Sequence, residues 1–152
     1  MTGTVWVDGQ AVPAWRLRAC VLVALHGPRC PGCADLAREL CRRAGMWERW
    51  GVRVLVLRED AEPFPGQVPQ AQDPGGRTRR TWAPGVDAFL AVVDRRGVEA
   101  GRWAWDHPRA PDWFQVDEAV RWVGIQEPEC GTCVVEPAWE PRTTEEAVWK
   151  ST

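Results

Sequence analysis

The sequence predicts an α/β domain in which strands and helices pack around a central β-sheet. The runs "RACVLVAL" (18–25) and "VRVLVL" (52–57) are short, apolar and rich in Val and Leu, as interior parallel strands are. Between them, apolar residues recur at the three-to-four spacing of a helix. A strand–helix–strand unit of this kind pairs its strands in parallel through a right-handed crossover.

The helix between the two strands is predicted to begin at Pro31, because a proline costs little in the first helical turn. Gly51 fits a break before the second strand. The charged side chains lie mostly off one apolar stripe, which is expected to be buried. That stripe consists of Cys33, Leu36, Ala37, Leu40, Cys41, Ala44 and Trp47.

The other predicted elements alternate with turns rich in Gly, Pro and polar residues. They are, in order, a strand over 4–9, a loop over 59–77, a short helix over 77–83, a strand over 87–94, an antiparallel return strand over 98–105 and a helix over 115–126. Residues 127–152 are acidic, interrupted by prolines and without periodicity. We therefore expect one domain over 1–126 and an irregular acidic tail over 127–152.

Composition limits the classes of function. The chain has 152 residues, of which 45% are apolar and 26% charged, as in a soluble globular protein. A formal net charge of −2 gives no indication of a basic surface that binds nucleic acid. No apolar run approaches the roughly 20 residues that span a bilayer, and no signal peptide is visible at the N-terminus. A cytoplasmic location is expected, where paired cysteines are more often redox-active or metal-binding than structural.

The segment Cys30-Pro31-Gly32-Cys33 closes the first interior strand and opens the helix. A helix N-terminus carries unpaired N–H groups and a partial positive charge, and both stabilise a thiolate. Such a thiolate attacks a disulfide or a peroxide, and a second cysteine resolves the intermediate. The position of each residue predicts Cys30 as the attacking thiol and Cys33, one turn further on, as the resolving thiol.

For three more residues near this pair, a structural role is a simpler explanation than a role in the thiol chemistry. Cys20 begins an apolar strand, and Cys41 lies two turns beyond Cys33 on the same helix face, so both are predicted to be buried core thiols. His26 lies four residues before Cys30. It is expected to be a structural or solvent-facing histidine, with tuning of the thiolate as the alternative.

A second pair, Cys130 and Cys133, lies in the acidic tail, and three interpretations remain open. The pair could relay electrons to or from Cys30 and Cys33. Together the two pairs could supply the four thiolates of a structural zinc site. The tail pair could also form a local zinc or disulfide knuckle without a role in the chemistry. Nearby carboxylates would raise the pKa of these thiols, which suits a resolving thiol or a metal ligand better than an attacking one.

The sequence around the first pair resembles the thioredoxin superfamily, and in particular its redoxin branch of alkyl hydroperoxide reductase and thiol-specific antioxidant proteins. The likeness covers roughly 18–125. It rests on "VLVALHGPRCPGCADLARELCRRAGMWERWGVRVLVLRED", on "VPQAQDPGGRTRRTWAP", on the hairpin "DAFLAVVDRRGVEAGRW" and on "PDWFQVDEAVRWV". The resemblance implies a thioredoxin-like α/β fold with a central mixed β-sheet flanked by helices, and thiol chemistry at Cys30 and Cys33.

The sequence departs from this family at two functional positions. Peroxidatic members carry Pro and Thr or Ser seven and three residues before the reactive cysteine. Here those positions hold Val23 and Gly27 counted from Cys30, or His26 and Cys30 counted from Cys33. Thioredoxins carry a cis-proline just before the third core strand, where this chain has Asp87 and Ala88.

The sequence thus predicts a thiol–disulfide oxidoreductase of redoxin type that needs no cofactor. Its substrates would be a protein disulfide or a small thiol or peroxide, without nucleic acid or membrane. The alternative is a non-catalytic redoxin-like module that binds structural zinc through Cys30, Cys33, Cys130 and Cys133. A thiol peroxidase comes third. The sequence does not fix the oligomeric state.

Overall fold

The computed structural model describes the backbone of residues 3–131 and the side chains of residues 3–126. A hairpin of β1 (Thr4–Val7) and β2 (Gln10–Pro13) comes first. The main sheet contains β3 (Cys20–Leu25), β4 (Arg53–Arg58), β5 (Gln70–Gln72), β6 (Ala88–Val93) and β7 (Glu99–Trp105). The helices are α1 (Pro31–Arg49), α2 (Arg77–Trp82) and α3 (Trp113–Gly131).

The main sheet is mixed, with the strand order β5-β4-β3-β6-β7. β3 pairs in parallel with β4, as the strand–helix–strand pattern predicts, and β4 pairs in parallel with β5. β6 runs antiparallel to both β3 and β7, which confirms the predicted hairpin. The carboxyl ends of β3 and β4 and the start of β6 therefore share one edge of the sheet.

Both faces of the sheet are covered, which explains why every residue of β3 and β6 is buried. On one face, α1 and α3 pack through residues such as Leu36, Leu40 and Val120 against alternate strand residues such as Val21. On the other face, the β1–β2 hairpin and α2 cover the remaining strand residues. This sandwich fixes the position of the turn between β3 and α1.

Three features differ from the sequence prediction. The prediction of a short strand over 4–9 that ends in a turn at Asp8 and Gly9 is confirmed by β1, but its hairpin partner β2 was not predicted. The loop predicted over 59–77 contains β5, because the Gln70 side chain binds the backbone N–H and carbonyl of Phe64 and closes the loop beside β4. The last helix begins at Trp113 and continues to Gly131, so its backbone extends five residues into the predicted irregular tail. Residues 132–152 lie outside the described part of the chain.

Within residues 3–131, no helix is both long enough and apolar enough to cross a membrane. The cytoplasmic location stays a prediction.

Candidate functional site

Cys30 occupies the N-cap of α1, directly after the turn that follows β3. Its Sγ accepts a hydrogen bond from the backbone N–H of Cys33 at 3.3 Å. Its own backbone N–H donates to the Gly27 carbonyl at 3.2 Å, which folds the turn. Pro31 is the first helical residue, as expected. A helix N-terminus therefore directs a backbone donor at the Cys30 sulfur, and this side chain is half-buried.

Cys33 differs sharply from Cys30 because its side chain is fully buried under the first turn of α1. Its Sγ accepts the backbone N–H of His26 at 3.4 Å. Burial, and to a smaller extent the hydrogen bond with Cys30, raise the pKa of the Cys33 thiol to about 12, against the opposing effects of the His26 and Gly27 N–H groups. The two cysteines are thus one accessible and one buried thiol, linked by one hydrogen bond.

Two segments distant in sequence pack against this turn. The Pro108 carbonyl oxygen lies so close to Gly32 that a Cβ at this position would clash with it. The Asp60 carboxylate lies in the same way against Gly27. The loop between β7 and α3 and the segment after β4 therefore form the walls beside the cysteine pair, and both positions require glycine for close approach.

His26 contacts the site through its backbone rather than its ring. The ring is 38% exposed, and its Nδ1 lies 3.7 Å from Glu59 Oε2. The same Glu59 oxygen accepts a hydrogen bond from Arg79 Nε at 2.8 Å. The ring is thus partly solvent-facing, as the sequence interpretation expects, and it belongs to a small ionic cluster beside the turn.

Sequence reasoning missed Glu59, Asp60 and Pro108 as neighbours of the cysteine pair. A signal existed for the first two, because Glu59 and Asp60 follow β4, and parallel neighbouring strands end at the same edge of a sheet. Nothing local in the sequence places Pro108 against Gly32, since this contact joins residues that are distant in the sequence.

The other two described cysteines lie apart from the pair. Cys20 is fully buried on the opposite face of the sheet, as predicted, and burial raises the pKa of its thiol to about 12. Cys41 was predicted to be buried, and this prediction is wrong in degree: the residue is only half-buried. It lies at the margin of the apolar stripe of α1, beside Gly66. Together with Glu48 and Arg53 it lines a cavity of about 490 Å³.

The second cysteine pair is not brought next to the first by the described backbone. α1 and α3 run in parallel, because Pro108 lies beside Gly32 at one end and a Cβ on Gly124 would clash with the Trp50 carbonyl at the other. With a rise of about 1.5 Å per residue, the backbone of Cys130 lies roughly 25 Å along α3 from Trp113. The side chain of Cys130 and the whole of Cys133 lie outside the described part of the chain.

A metal site finds no support in the described part of the chain. Among those residues, no group of three or more His, Cys, Asp or Glu side chains is placed to hold a metal ion. Cys30 and Cys33 face no further thiol or imidazole ligand there. The four-cysteine zinc site would in addition require Cys130, whose backbone lies near the end of α3 remote from the cysteine turn, and Cys133, which lies outside the described residues.

Asp87 and Ala88 occupy the position at which thioredoxins carry a cis-proline. Asp87 directly precedes β6, and its backbone N–H donates to the Trp105 carbonyl at 2.8 Å. Among the peptide bonds of the described residues, none is cis. Asp87 stands where the sequence comparison with thioredoxins places it, at the edge of the sheet to which the cysteine turn belongs.

Comparison with known proteins identifies the fold. No family model matches the sequence, and no curated protein matches it at the sequence level. Among solved structures, the chain is similar to a candidate thiol:disulfide interchange protein DsbE from Chlorobium tepidum, with a TM-score of 0.62 and 15% identity over 82% of this chain and 94% of that one. It is also similar to a candidate thioredoxin from Neisseria meningitidis, with a TM-score of 0.56 and 16% identity over 80% and 89% of the two chains.

A thiol peroxidase from Chromobacterium violaceum is similar as well, with a TM-score of 0.58 and 15% identity over 85% of this chain and 84% of that one. The chain therefore has a thioredoxin-like fold, with a mixed five-stranded sheet flanked by helices, as the sequence resemblance implies. Structural likeness at this level of identity establishes the fold and leaves the chemistry to the residues themselves.

Proposed function

We propose that this protein is a thiol–disulfide oxidoreductase of redoxin type, in which Cys30 attacks and Cys33 resolves. The observation that carries the proposal is the asymmetry of the pair. Cys30 is accessible at the N-cap of α1 and receives an N–H donor on its sulfur, while Cys33 is fully buried. Disulfide exchange by a cysteine pair needs one thiol that is accessible to the substrate and a second thiol that attacks only after the mixed disulfide has formed.

The reaction proceeds by two displacements. The Cys30 thiolate attacks one sulfur of a substrate disulfide, forms a mixed disulfide and expels the first substrate thiolate. Cys33 then attacks Cys30 Sγ, forms the Cys30–Cys33 disulfide and expels the second substrate thiolate. The first expelled thiolate takes the Cys33 proton, so the substrate gains two electrons and the protein dithiol loses them.

The burial of the resolving thiol determines the order of the two displacements. With a pKa of about 12, Cys33 stays protonated at neutral pH and does not compete for substrate. The hydrogen bond from the Cys33 N–H stabilises negative charge on the Cys30 sulfur, both before attack and when Cys30 leaves. A pair of equally exposed thiols would lack this division of roles.

The walls of the turn favour a disulfide over a peroxide as substrate. Peroxide activation in this fold class is expected to use a Thr or Ser hydroxyl near the reactive cysteine, and Gly27 or Cys30 stands at the corresponding position. The exposed surface beside Cys30 is formed instead by the 106–112 loop and by Arg29. A protein or small-molecule disulfide is therefore the proposed substrate, with a thiol peroxidase as the weaker alternative.

The decisive experiment measures reduction of insulin disulfides by the purified full chain in the presence of dithiothreitol. We expect Cys30→Ser to abolish the protein-dependent rate. Cys33→Ser, reduced, freed of dithiothreitol and then mixed with insulin, should accumulate a mixed disulfide at Cys30, detected by intact mass. Cys41→Ser, at a thiol outside the turn, should keep the wild-type rate. A full rate in Cys30→Ser would overturn the proposal.

Two parallel assays distinguish the alternatives. Hydrogen peroxide consumption that equals or exceeds disulfide reduction, and depends on Cys30, would replace the proposal with a peroxidase. Native intact mass of protein purified without chelator tests the zinc module. One zinc per chain that is lost together with the fold on chelation would exclude the redox role of the pair.

A further inference from the structure

The outward face of α3 carries large apolar side chains, whereas the outward face of a surface helix is ordinarily polar. The buried face of this helix consists of three valines: Val116, Val120 and Val123. Directly opposite lies a row that we call the α3 seam: Phe114, Glu118, Arg121 and Ile125. Phe114 is 71% exposed, Ile125 is 61% exposed, and Trp122, which flanks the seam, is 58% exposed. Three of the four exposed large apolar side chains within residues 3–126 therefore lie on one side of one helix.

The neighbouring helix α1 shows that this apolar surface is particular to α3. α1 covers the same face of the sheet, and its side opposite the buried stripe is charged. That side consists of Asp35, Arg38, Arg42 and Arg49. Ion pairs form along it, such as that of Arg38 with Asp35 at 2.8 Å. Because an exposed apolar patch rimmed by polar residues is typical of an interaction surface, the α3 seam indicates a partner.

The α3 seam is complementary to a second copy of itself. When two α3 helices pack antiparallel about a two-fold axis between residues 119 and 120, Phe114 of each copy lies opposite Ile125 of the other. The same axis places Glu118 of each copy opposite Arg121 of the other. In a parallel arrangement each residue would meet its own copy, and Glu118 would face Glu118. The order of apolar, acidic, basic and apolar residues along the seam therefore fits an antiparallel two-fold contact.

The contact that Arg121 already makes is compatible with this pairing. Its guanidinium lies 5.0 Å from the centre of the Trp50 ring. Stacking on a ring uses the face of the guanidinium, and its N–H groups point outward in its own plane, where they can donate to a carboxylate. Glu118 is exposed on the same side of the helix. The two charges of the seam thus orient the copies, while the apolar side chains supply most of the affinity.

We propose that two copies of this chain form an antiparallel dimer through the α3 seam. A second copy is favoured over a different protein because the seam itself supplies both the apolar and the charged complement that it needs. The contact spans about three helical turns in each copy, so it is small for a protein interface. We therefore expect a reversible dimer with a Kd on the order of 10 µM. This inference does not rest on the proposed oxidoreductase function.

The antiparallel register has a consequence for the second cysteine pair. In this register, α3 of one copy runs past Trp113, the first residue of α3 in the other, and continues for residues 127–131, about 7.5 Å. That extension lies on the side of Pro108, whose carbonyl packs on Gly32 in the cysteine turn. The backbone of Cys130 therefore lies at the cysteine-turn end of the second copy, although it lies at the opposite end of its own chain.

The test is sedimentation velocity of the full chain between 1 and 300 µM, with a reductant that excludes disulfide-linked dimers. We expect the sedimentation coefficient to rise with concentration from that of a monomer to that of a dimer. Phe114→Ser/Ile125→Ser should raise the Kd at least tenfold, and circular dichroism should show an unchanged fold because both side chains are exposed. Val98→Ser is the matched control, since Val98 is an exposed apolar residue outside the seam, and it should keep the wild-type Kd.

Charge reversal tests the register of the two helices. Glu118→Arg sets two cations against each other and should raise the Kd at least fivefold, whereas Glu118→Arg/Arg121→Glu restores opposite charges and should return the Kd to within twofold of wild type. A monomer at every concentration would overturn the proposal and would assign the covering of the seam to residues 132–152 or to a different protein. A dimer of wild-type affinity in Phe114→Ser/Ile125→Ser, or no recovery in the charge-reversed pair, would overturn it as well.

Discussion

The carbonyl oxygen of Pro108 lies directly against the Cα of Gly32, between the two cysteines of the first pair. This contact joins the loop after β7 to the first turn of α1, and it leaves no space for a side chain at residue 32. The cysteine turn is therefore held from outside as well as by its own hydrogen bonds. The identity of Gly32 is a packing requirement and not only a convenience of turn geometry.

Gly32→Ala is expected to destabilise the protein by about 1–3 kcal/mol, because the new Cβ must displace the Pro108 backbone. Gly45→Ala in the same helix is the matched control, since nothing lies within 4 Å of its added Cβ. This control should stabilise by up to about 1 kcal/mol through helix propensity. Urea unfolding midpoints measure both changes, and equal effects of the two substitutions would contradict the role assigned to the Pro108 contact.

The local half of the site could be predicted from the sequence, and the non-local half could not. A strand, a CxxC and a helix in succession place Cys30 at a helix N-terminus and Cys33 one turn in, as observed. The burial of Cys33 also follows from its place on the apolar stripe. The contact of Pro108 with Gly32 depends on how a distant loop folds back, and no periodicity encodes it.

Native alkylation should distinguish the described thiols by burial. With reduced protein at pH 8, iodoacetamide is expected to modify the half-buried thiols Cys30 and Cys41 before Cys20 and Cys33, because the latter two are fully buried and keep their protons. Peptide mapping after timed quenching gives the rate at each site. Modification of Cys33 as fast as Cys30 would contradict the accessible-and-buried arrangement, and denatured protein serves as the control for equal intrinsic labelling.

Asp73 shows how a loop that seems irregular in sequence gains order. This carboxylate is buried, and its Oδ2 accepts the N–H of Thr78, in the first turn of α2, at 2.8 Å. No hydrogen bond from the described residues reaches Oδ1. Burial raises the pKa of Asp73 above its ordinary value, with a further contribution from Glu59. The Pro- and Gly-rich composition of 59–77 predicts a loop but does not reveal this buried acceptor or the Gln70 side chain that supports β5.

Asp73→Ala is expected to cost about 1–3 kcal/mol, because the Thr78 N–H loses its partner. Asp73→Asn retains an acceptor and removes the buried charge, so it should cost less. Because the folded pKa of Asp73 is raised, its contribution to stability is present below its ordinary pKa and is lost as the pH rises through the folded value. The free energy of unfolding should therefore decrease more between pH 4 and pH 7 in wild type than in Asp73→Asn. An equal decrease in the two proteins would contradict this account.

The two fully buried thiols predict a loss of stability at alkaline pH. Burial raises the pKa of both Cys20 and Cys33 from 9.0 to about 12. Between these values the unfolded thiols ionise while the folded ones keep their protons, so the unfolded state binds fewer protons and is favoured as the pH rises. The stability from each thiol is complete below pH 9 and declines by up to about 1.4 kcal/mol per pH unit above it.

Urea unfolding of the reduced protein between pH 8 and pH 10.5 measures this slope. Cys20→Ala is expected to lower stability at pH 8 because it leaves a cavity beneath the sheet. The informative quantity is the pH slope above pH 9, which should be about half of the wild-type slope in Cys20→Ala or Cys33→Ala and nearly flat in the double variant. A double variant that keeps the wild-type slope would show that other groups cause the alkaline loss and that neither thiol holds its proton through burial.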